Sequence, residues 1–228
     1  MTEEDAIRSR HSVRSYDGKP LSVEEKTAIE AKIREINADS GLHIQLVTDE
    51  PRTFKGFASY GSFKGVTNYI VVAGKRAENL GEKAGYNGEK LVLLCQTIGL
   101  NTCWVGLTYK KIKGAFELWP DEKVVCMIAV GHGTTQGSAH KIKTAEAVSN
   151  ITDKSPDWFR RGVEAALLAP TAINQQKFYF ELHDNGNGKM PTVSAKKRFS
   201  FAGYTDTDLG IAKLHFEIGA GKDTFEWK

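Results

Sequence analysis

The chain has 228 residues, which is enough for one large domain or two small ones with a substantial core. It carries 31 Lys and Arg residues against 28 Asp and Glu residues, and a net charge of only +3 gives no reason to expect a nucleic-acid partner. Hydrophobic residues make up 40% and charged residues 26%, as in ordinary globular proteins, which excludes a disordered chain, collagen or a coiled coil. The apolar runs are too short to span a membrane, and the three cysteines form no CxxC pair. We therefore expect a cytoplasmic protein without a membrane partner.

In chain order, the first predicted element is a helix that begins after Ser22. Ser22 and Glu25 form a capping-box pattern, isoleucines follow at helical spacing, and Gly41 is a natural end for the helix. A short alternating strand is expected over residues 43–47, and a buried strand over residues 69–73.

The loop between these two strands carries four aromatic residues. Residues 50–66 are rich in Gly, Ser, Phe and Lys and predict an irregular loop. Its aromatic side chains have two possible uses, either to cover a flat substrate or to pack as a plug on the sheet. They are Phe54, Phe57, Tyr60 and Phe63.

The middle of the chain predicts one helix and two strands. Apolar residues at helical spacing indicate a helix over residues 85–98, which Gly99 ends. A brief extended segment is expected at 102–106, and the apolar run at 124–130 predicts a central strand.

The final third begins with a second predicted helix, for which Ser155 is the expected cap and Pro156 the first-turn residue. A strand at 178–182, a hairpin turn at 185–188 and a helix at 208–219 follow.

One pattern occurs twice along the chain. Residues 21–47 and 155–182 are both typical of a capped helix, a loop and a strand. The similarity is one of pattern and not of identity, and it suggests a duplicated helix–strand unit.

Several common functional motifs are missing from the sequence. It has no Walker A loop, GxGxxG, HExxH or GxSxG motif, and its six histidines form no i, i+4 pair. A metal site is therefore not expected.

The N-terminal segment instead offers a set of cations and hydroxyls. Arg8, Arg10, Ser12 and Arg14 alternate, so they would share one side of an extended chain. Guanidinium groups beside a hydroxyl suit a phosphate monoester. A solvated basic arm is the alternative interpretation.

This segment carries a family resemblance. Arg10-His-Ser-Val-Arg-Ser-Tyr16, followed by Pro20 and a capped helix, resembles the opening of the FMN-dependent nitroreductase family. Gly99-Leu-Asn-Thr-Cys-Trp-Val-Gly106 resembles the helix-end segment whose backbone lies against the flavin in that family. The stretch from Trp119 to Gly133 resembles its element of a proline, an acidic residue, a strand and a glycine.

One motif of the family is displaced. Ala169-Pro-Thr-Ala-Ile-Asn-Gln-Gln176 resembles the motif Ala-Pro-Ser-x-x-Asn-x-Gln-Pro-Trp, which follows the first helix in most members. Lys177 and Phe178 stand in place of its Pro-Trp pair. The resemblance covers nearly all of residues 4–182 in a rearranged order, as in a divergent branch of nitroreductases with members from thermophiles.

The resemblance implies FMN as the cofactor and a role for each matching residue. Phosphate ligands would be Arg10, Ser12, Lys141 and Lys143, while Arg14 would lie near the pyrimidine edge of the flavin. Thr171 and Asn174 would bind the ring edge or the ribityl chain, and the backbone of 104–107 would face the flavin and offer an N–H to its N5. The full implied cofactor-binding set is Arg10, His11, Ser12, Arg14, Trp104, Val105, Gly106, Leu107, Lys141, Lys143, Pro170, Thr171, Asn174 and Gln176.

The same residues also have structural interpretations. Trp104 is as compatible with a core position as with a flavin platform, and Lys141 and Lys143 would pass for solvated charges. Cys103 is expected to be a small buried hydrophobe and not a nucleophile.

The implied fold is an α+β, nitroreductase-like single domain over residues 1–228, with a mostly antiparallel central sheet flanked by helices and a displaced helix–strand unit. Its FMN-binding elements would be 8–16, 102–107, 141–143 and 169–176. The chain would form either a homodimer or a monomeric pseudo-dimer, in which one chain supplies both halves of the site.

The implied activity is that of an FMN-dependent oxidoreductase. It would take hydride from NADH or NADPH and reduce a flat small molecule such as a nitroaromatic, a quinone or a flavin, with the flavin and no protein residue as the catalytic group. Two alternatives remain open at this point. One is a flavin carrier or sensor without turnover, and the other is a module for a different phosphorylated ligand.

Overall fold

The computed structural model describes residues 1–55, 63–183, 186, 189–221 and 223–228. The helices in this part of the chain are α1 (Glu3–Ser9), α2 (Val23–Ser40), α3 (Leu80–Thr97), α4 (Ala145–Val148), α5 (Asp157–Leu167) and α6 (Thr205–Ala220). The strands are β1 (Gln45–Val47), β2 (Asn68–Lys75), β3 (Asn101–Val105), β4 (Glu122–Gly131), β5 (Phe178–His183), β6 (Thr192–Lys197) and β7 (Glu226–Trp227).

The ends of α2 follow the local sequence signals. Ser22 Oγ accepts a hydrogen bond from Glu25 N–H, and the Glu25 carboxylate accepts one from Ser22 N–H, so the predicted capping box is formed. Gly41 adopts a left-handed conformation with φ of 66° and ends the helix, as expected. The predicted cap of α5 is wrong, because Ser155 Oγ accepts from Thr152 N–H and Pro156 occupies the cap position.

The strands form two sheets. Four strands make an antiparallel sheet in the order β1-β2-β4-β3, and three make a smaller sheet in the order β5-β6-β7. In the smaller sheet β5 and β6 are antiparallel, while β6 and β7 are parallel. The α+β fold with mostly antiparallel sheets is thereby confirmed.

Helices pack against both sheets. One apolar core joins α2 and α3 to the four-stranded sheet, and a second joins α5 and α6 to the smaller sheet. The helices α3 and α6 approach closely, because a Cβ at Gly85 would lie 2.0 Å from the Thr207 carbonyl oxygen and a Cβ at Gly210 would lie 2.0 Å from that of Glu82. Trp104 on β3 packs against both cores, so β3 ends where the two halves of the fold meet.

The order of elements repeats along the chain. The first half runs α2-β1-β2-α3, and the second half runs α5-β5-β6-α6, each with one antiparallel strand pair between two helices. The predicted helix–strand unit is therefore the beginning of a longer repeated pattern.

Two of the four aromatic residues of the loop, Phe54 and Phe63, lie within the described residues. Phe54 is buried, with its ring centroid 5.1 Å from that of Phe63 and 5.6 Å from that of Tyr69. Phe54 and Phe63 therefore pack on the sheet as a plug, which is the second of the two uses expected for the loop. Phe57 and Tyr60 lie outside the described residues. The predicted hairpin turn at 185–188 also lies mostly outside them.

No helix in the described part of the chain is both long enough and apolar enough to cross a membrane.

Candidate functional site

The N-terminal segment is extended only after α1. Arg8 belongs to α1, so the prediction that it shares one side with Arg10, Ser12 and Arg14 is wrong. From Arg10 onward the chain is extended and attaches to β3, where Val13 N–H donates to the Thr102 carbonyl (3.0 Å). This attachment presents Arg10, Ser12 and Arg14 to one cavity.

This first cavity has a volume of about 630 Å³ and lies between the N-terminal segment, the loop after β4 and the turn before β5. Its described lining contains arginine, lysine and histidine side chains and no carboxylate. The lining residues used below are Arg10, His11, Ser12, Arg14, Lys64 and His140, with Pro170, Thr171 and Asn174 opposite. A cavity of this charge favours an anion.

Arg10 is the most informative of these cations. Its side chain is 5% exposed, and its Nε has no hydrogen-bond partner among the described residues. Its Nη1 lies 3.5 Å from the Leu168 carbonyl oxygen at the end of α5, which is a long and weak contact. A buried guanidinium without a carboxylate partner is costly unless an anion completes it.

The two histidines of the cavity lie close to this arginine. Desolvation lowers the pKa of His11, and the charges of Arg10 and His140 lower it further. His140 Nε2 lies 3.0 Å from the Leu167 carbonyl, so it donates there. Together these groups place Arg10 and His140 at the C-terminal end of α5, whose carbonyls favour cations.

A second cavity, of about 280 Å³, adjoins the first. The two share five lining residues: Ser12, Arg14, Pro170, Thr171 and Ile173. The rest of the second lining is largely apolar and includes Trp104, Gly106, Leu107, Ala172, Tyr204 and Ile211. The two cavities form one trough with a cationic end and an apolar end.

Gly106 lies just beyond the end of β3, in the lining of the apolar end. The Thr102 carbonyl accepts from Val13, so it points away from β4 and toward the N-terminal segment. Alternate residues of a strand direct their backbone groups to the same edge, so Trp104 faces that edge too. The Tyr204 hydroxyl donates to the Gly106 carbonyl (2.6 Å), which ties the end of β3 to the start of α6.

Trp104 is held from behind by a buried network. Its indole N–H donates to Glu89 Oε2 (2.8 Å), and Glu89 Oε1 lies 2.9 Å from His215 Nε2. Glu89 and His215 are fully buried. Gly88 admits the indole, since a Cβ there would lie 2.4 Å from it. Trp104 is thus both a core residue and a wall of the cavity.

Asp208 on α6 fastens the turn opposite. Its carboxylate accepts from Ala172 N–H (2.9 Å) and from Gln175 Nε2 (2.6 Å), and Gln175 Nε2 also donates to the Gly203 carbonyl (2.9 Å). Burial raises the pKa of Asp208 to about 6, although both hydrogen bonds act to lower it.

Unfavourable backbone conformations concentrate in the trough. Six described residues other than glycine have positive φ, and four of them belong to the site segments: Ile173, Asn174, Gln176 and Tyr204. Ile173 has φ of 47°, which is a true outlier for a β-branched residue. Such clusters are typical of functional sites, where the surrounding structure holds the backbone in place.

Four residues of the implied set lie outside the described linings of both cavities: Val105, Lys141, Lys143 and Gln176. Lys143 Nζ donates to the carbonyls of Gln175 (2.8 Å) and Gln176 (2.9 Å), and desolvation with the nearby charges of Lys177 and Arg198 lowers its pKa. The Lys141 carbonyl accepts from Asn174 and Gln176, while its side chain is exposed.

Sequence reasoning missed several lining residues. Lys64, Thr135, Gly137, Ser138 and His140 line the cationic end, and Tyr204 and Asp208 line the apolar end. One feature of the sequence could have pointed to Asp208, because this acidic residue stands directly before the apolar run of α6. The others stand in polar loops where the sequence gives no such contrast.

Two of the three thiols lie at or near the site and are buried. Burial raises the pKa of Cys126, which lines the apolar end, to about 12, and burial also raises the pKa of Cys103. Burial thus disfavours the reactive thiolate form of both, which agrees with the expectation that Cys103 is a small buried hydrophobe. The described residues contain no group of three or more His, Cys, Asp or Glu side chains that could hold a metal ion.

Comparison with known proteins identifies the class. A family model described as "Putative TM nitroreductase" matches residues 4–220. No curated protein matches the sequence. The chain belongs to this nitroreductase family, which supports a flavin oxidoreductase.

Solved structures share the fold. A "putative nitroreductase" from Thermotoga maritima is 22% identical, with a TM-score of 0.61, over 96% of this chain and 83% of that one. A "putative nitroreductase in complex with FMN" from Desulfovibrio desulfuricans is 23% identical, with a TM-score of 0.51, over 68% of this chain and 99% of that one. A "putative NADH oxidase" from Clostridium acetobutylicum is 21% identical, with a TM-score of 0.50, over 67% and 100%.

Proposed function

We propose that the trough binds FMN and that the protein is an NAD(P)H-dependent oxidoreductase for flat small-molecule acceptors such as nitroaromatics, quinones or flavins. The observation that carries this proposal is Arg10, a buried guanidinium whose Nε lacks a partner, at the cationic end of a trough whose other end is apolar. A ligand with a phosphate at one end and a planar ring at the other fits both ends.

The residues present fit FMN. Arg10 and Ser12 are the proposed phosphate ligands, with His11 beside them and the exposed Lys141 near Asn174 at the cavity edge. A phosphate dianion would supply the counter-charge that Arg10 lacks. Lys143 is instead proposed to fasten the turn before β5, because its ammonium already serves two carbonyls there.

The ring would lie at the apolar end. Arg14 lines both cavities and would approach the polar edge of the ring, where a cation favours developing negative charge. Trp104 and the Gly106 backbone would form the wall behind the ring, and Thr171 and Pro170 the side shared with the phosphate end. When bound, FMN would supply the hydride chemistry between NAD(P)H and the acceptor. The chain's own residues bind, orient and polarise, and no protein acid or base is assigned.

Cellular location and electron donor belong to the same proposal. A reducing cytoplasm is supported by three cysteines that are all buried and unpaired. NADH and NADPH remain joint candidates for the donor.

The test is the visible absorption spectrum of the purified protein, reconstituted with FMN, before and after anaerobic addition of NADH or NADPH. We expect oxidised-flavin bands that bleach on addition. Bands that persist with both donors would favour a flavin carrier or sensor. Failure to bind FMN would leave the cationic end for another phosphorylated ligand.

Steady-state kinetics with an acceptor test the turnover itself. Donor and acceptor would use the same open side of the trough in turn, so double-reciprocal plots should be parallel. Intersecting lines would contradict a shared position.

A further inference from the structure

A buried polar network joins β3 to α3, α6 and α5 behind the apolar end of the trough. The Trp104 indole N–H donates to Glu89 Oε2 (2.8 Å), and Glu89 Oε1 lies 2.9 Å from His215 Nε2. His215 Nδ1 lies 3.2 Å from the Ala165 carbonyl oxygen, which can only accept, so Nδ1 carries a proton and donates. Each side-chain nitrogen and carboxylate oxygen of the network thus has a partner.

Stability alone does not account for this network. Glu89 and His215 are fully buried, and Trp104 packs against both apolar cores. A buried pair of this kind adds little net stability, because the desolvation of both groups offsets their attraction. Apolar residues of similar size can often replace such a pair without loss. The pair is therefore better explained by what it holds in place.

The network fixes one side chain that belongs to the trough. Trp104 lines the second cavity, whereas Glu89 and His215 lie outside the described linings of both cavities. The six-membered ring of the indole lies against Gly88, where an added Cβ would be 2.4 Å from Trp104 Cη2. Contact with Gly88 places the ring, and the hydrogen bond to Glu89 sets the direction of its N–H.

Loss of the acceptor would disturb the cavity itself. An indole N–H without a partner in an apolar core is costly, so the side chain would turn to bring it to water. The second cavity is open space that Trp104 already lines. A released indole would therefore turn into the apolar end of the trough and narrow it.

We propose that Glu89 is a positioning residue for the flavin site, which holds the Trp104 indole out of the space that the ring of the bound cofactor would occupy. His215 acts one step further back, since it holds the other carboxylate oxygen of Glu89. Both residues act through Trp104 and not by touching the ligand. This inference rests on the proposed function.

The decisive protein, here called the pair variant, carries Glu89→Leu together with His215→Leu. Replacing both partners avoids the polar group that a single substitution would strand in the core. Its matched control carries Glu122→Leu together with His43→Leu. Glu122 is also a buried carboxylate, its Oε2 lies 2.7 Å from His43 Nδ1, and both residues lie outside the described linings.

Three quantities are measured for each protein: the FMN dissociation constant, the visible spectrum of the bound flavin and the thermal unfolding midpoint. We expect the pair variant to bind FMN about 10-fold more weakly, the factor for one unpaired buried donor, and its bound spectrum to shift toward that of free FMN. The control should change only the unfolding midpoint. The same pattern in the pair variant would show a merely structural pair and would overturn the inference.

Glu89→Gln separates the hydrogen bond from the charge. In this variant the amide oxygen can accept from the Trp104 indole, while the amide nitrogen donates to a neutral His215 Nε2, so every bond of the network is kept. We expect the wild-type dissociation constant and spectrum. A loss as large as that of the pair variant would show that the charge matters and not the indole position, which would overturn the inference.

A double-mutant cycle tests whether the effect passes through the indole. Trp104→Phe removes the N–H that Glu89 holds, so the pair substitution should have little further effect on FMN binding in that background. Additive losses would overturn the inference. If wild-type protein binds no FMN at all, the proposed function fails and this inference with it. Normal wild-type binding with an unchanged pair variant defeats the positioning role alone.

Discussion

Arg10 is the residue on which the proposed anion site depends. It is buried, while Arg8, two positions earlier, is exposed on α1. We expect Arg10→Gln to raise the FMN dissociation constant about 10- to 100-fold, because a charge-assisted hydrogen bond to phosphate is lost. Arg8→Gln removes the same charge outside the trough and should leave binding nearly unchanged. Equal losses in the two variants would point to general electrostatic attraction instead of a specific contact.

Ile173 has a strained backbone conformation, although it is exposed to solvent. It is 85% exposed and has φ of 47° and ψ of 26°. Asn tolerates this left-handed conformation, so Ile173→Asn should stabilise the fold by about 0.5–1 kcal/mol. Urea unfolding of the two proteins measures this difference. A destabilised variant would mean that the isoleucine side chain makes contacts worth more than the strain.

Asp208 should make stability depend on pH in the direction opposite to most carboxylates. Its folded pKa is raised from 3.8 to about 6 by burial, so the folded protein binds more protons than the unfolded chain in that window. Stability contributed by the protonated form is present at low pH and is lost as pH rises from about 4 to about 6. Such a shift corresponds to at most about 3 kcal/mol.

The check is Asp208→Asn, which cannot ionise. We measure the free energy of unfolding of both proteins in urea at pH 4 and pH 8. The variant should be more stable relative to the wild-type protein at pH 8 than at pH 4. Parallel stability curves for the two proteins would contradict the raised pKa.

At the scale of elements, the contact between α3 and α6 depends on glycines. In an exposed helix, Gly→Ala is stabilising by roughly 0.5–1 kcal/mol. At Gly85 the added Cβ would lie 2.0 Å from a backbone oxygen, which cannot move as a side chain can. We expect Gly85→Ala to destabilise the protein by at least about 2 kcal/mol, measured by urea unfolding. A gain in stability would show that the two helices can separate without loss.

Local signals explain which elements could be predicted. The capping box at Ser22 and Glu25 and the glycine at 41 need no distant partner, so both ends of α2 can be predicted from the sequence. The start of α3 is five residues earlier than predicted, because Leu80 and Ala84 are buried by tertiary packing within a polar stretch. The strand β6 pairs with β5, and β7 pairs with β6, and neither β6 nor β7 has an apolar run that would reveal it in the sequence.

The same distinction applies to the site. Arg10, Ser12 and Arg14 could be predicted because their alternation needs only an extended chain. The position of Tyr204 in the lining could not, since Tyr204 contacts Gly106, which is 98 positions away in the sequence. The expected phosphate role of Lys143 rested on the family resemblance, and a matching position in the sequence does not show which carbonyls an ammonium meets first.

At the scale of the whole molecule, one chain supplies both walls of the trough. Residues 10–15 come from the first half, and residues 170–174 from the second. The Desulfovibrio desulfuricans protein is matched over 99% of its length by 68% of this chain, so about a third of this chain lies outside the match. The repeated order of elements, with both walls in one chain, is the reason to expect the monomeric pseudo-dimer.

We therefore expect size-exclusion chromatography with light scattering to give the mass of one chain, 25.2 kDa, both with and without FMN. Dilution should not release the cofactor by dissociating subunits. A stable species of twice that mass, with FMN lost on dilution to monomer, would contradict the single-chain site.

Two walls from one chain have a consequence for how the site can vary. In a symmetric homodimer every substitution appears in both subunits, so a change that suits one side of a binding site is repeated wherever the symmetry places it. Here a change at residues 170–174 occurs once and leaves the arginine wall as it was. The two sides can thus change separately, and a library restricted to the turn before β5 would vary one wall of the proposed FMN site while the arginine wall stays constant.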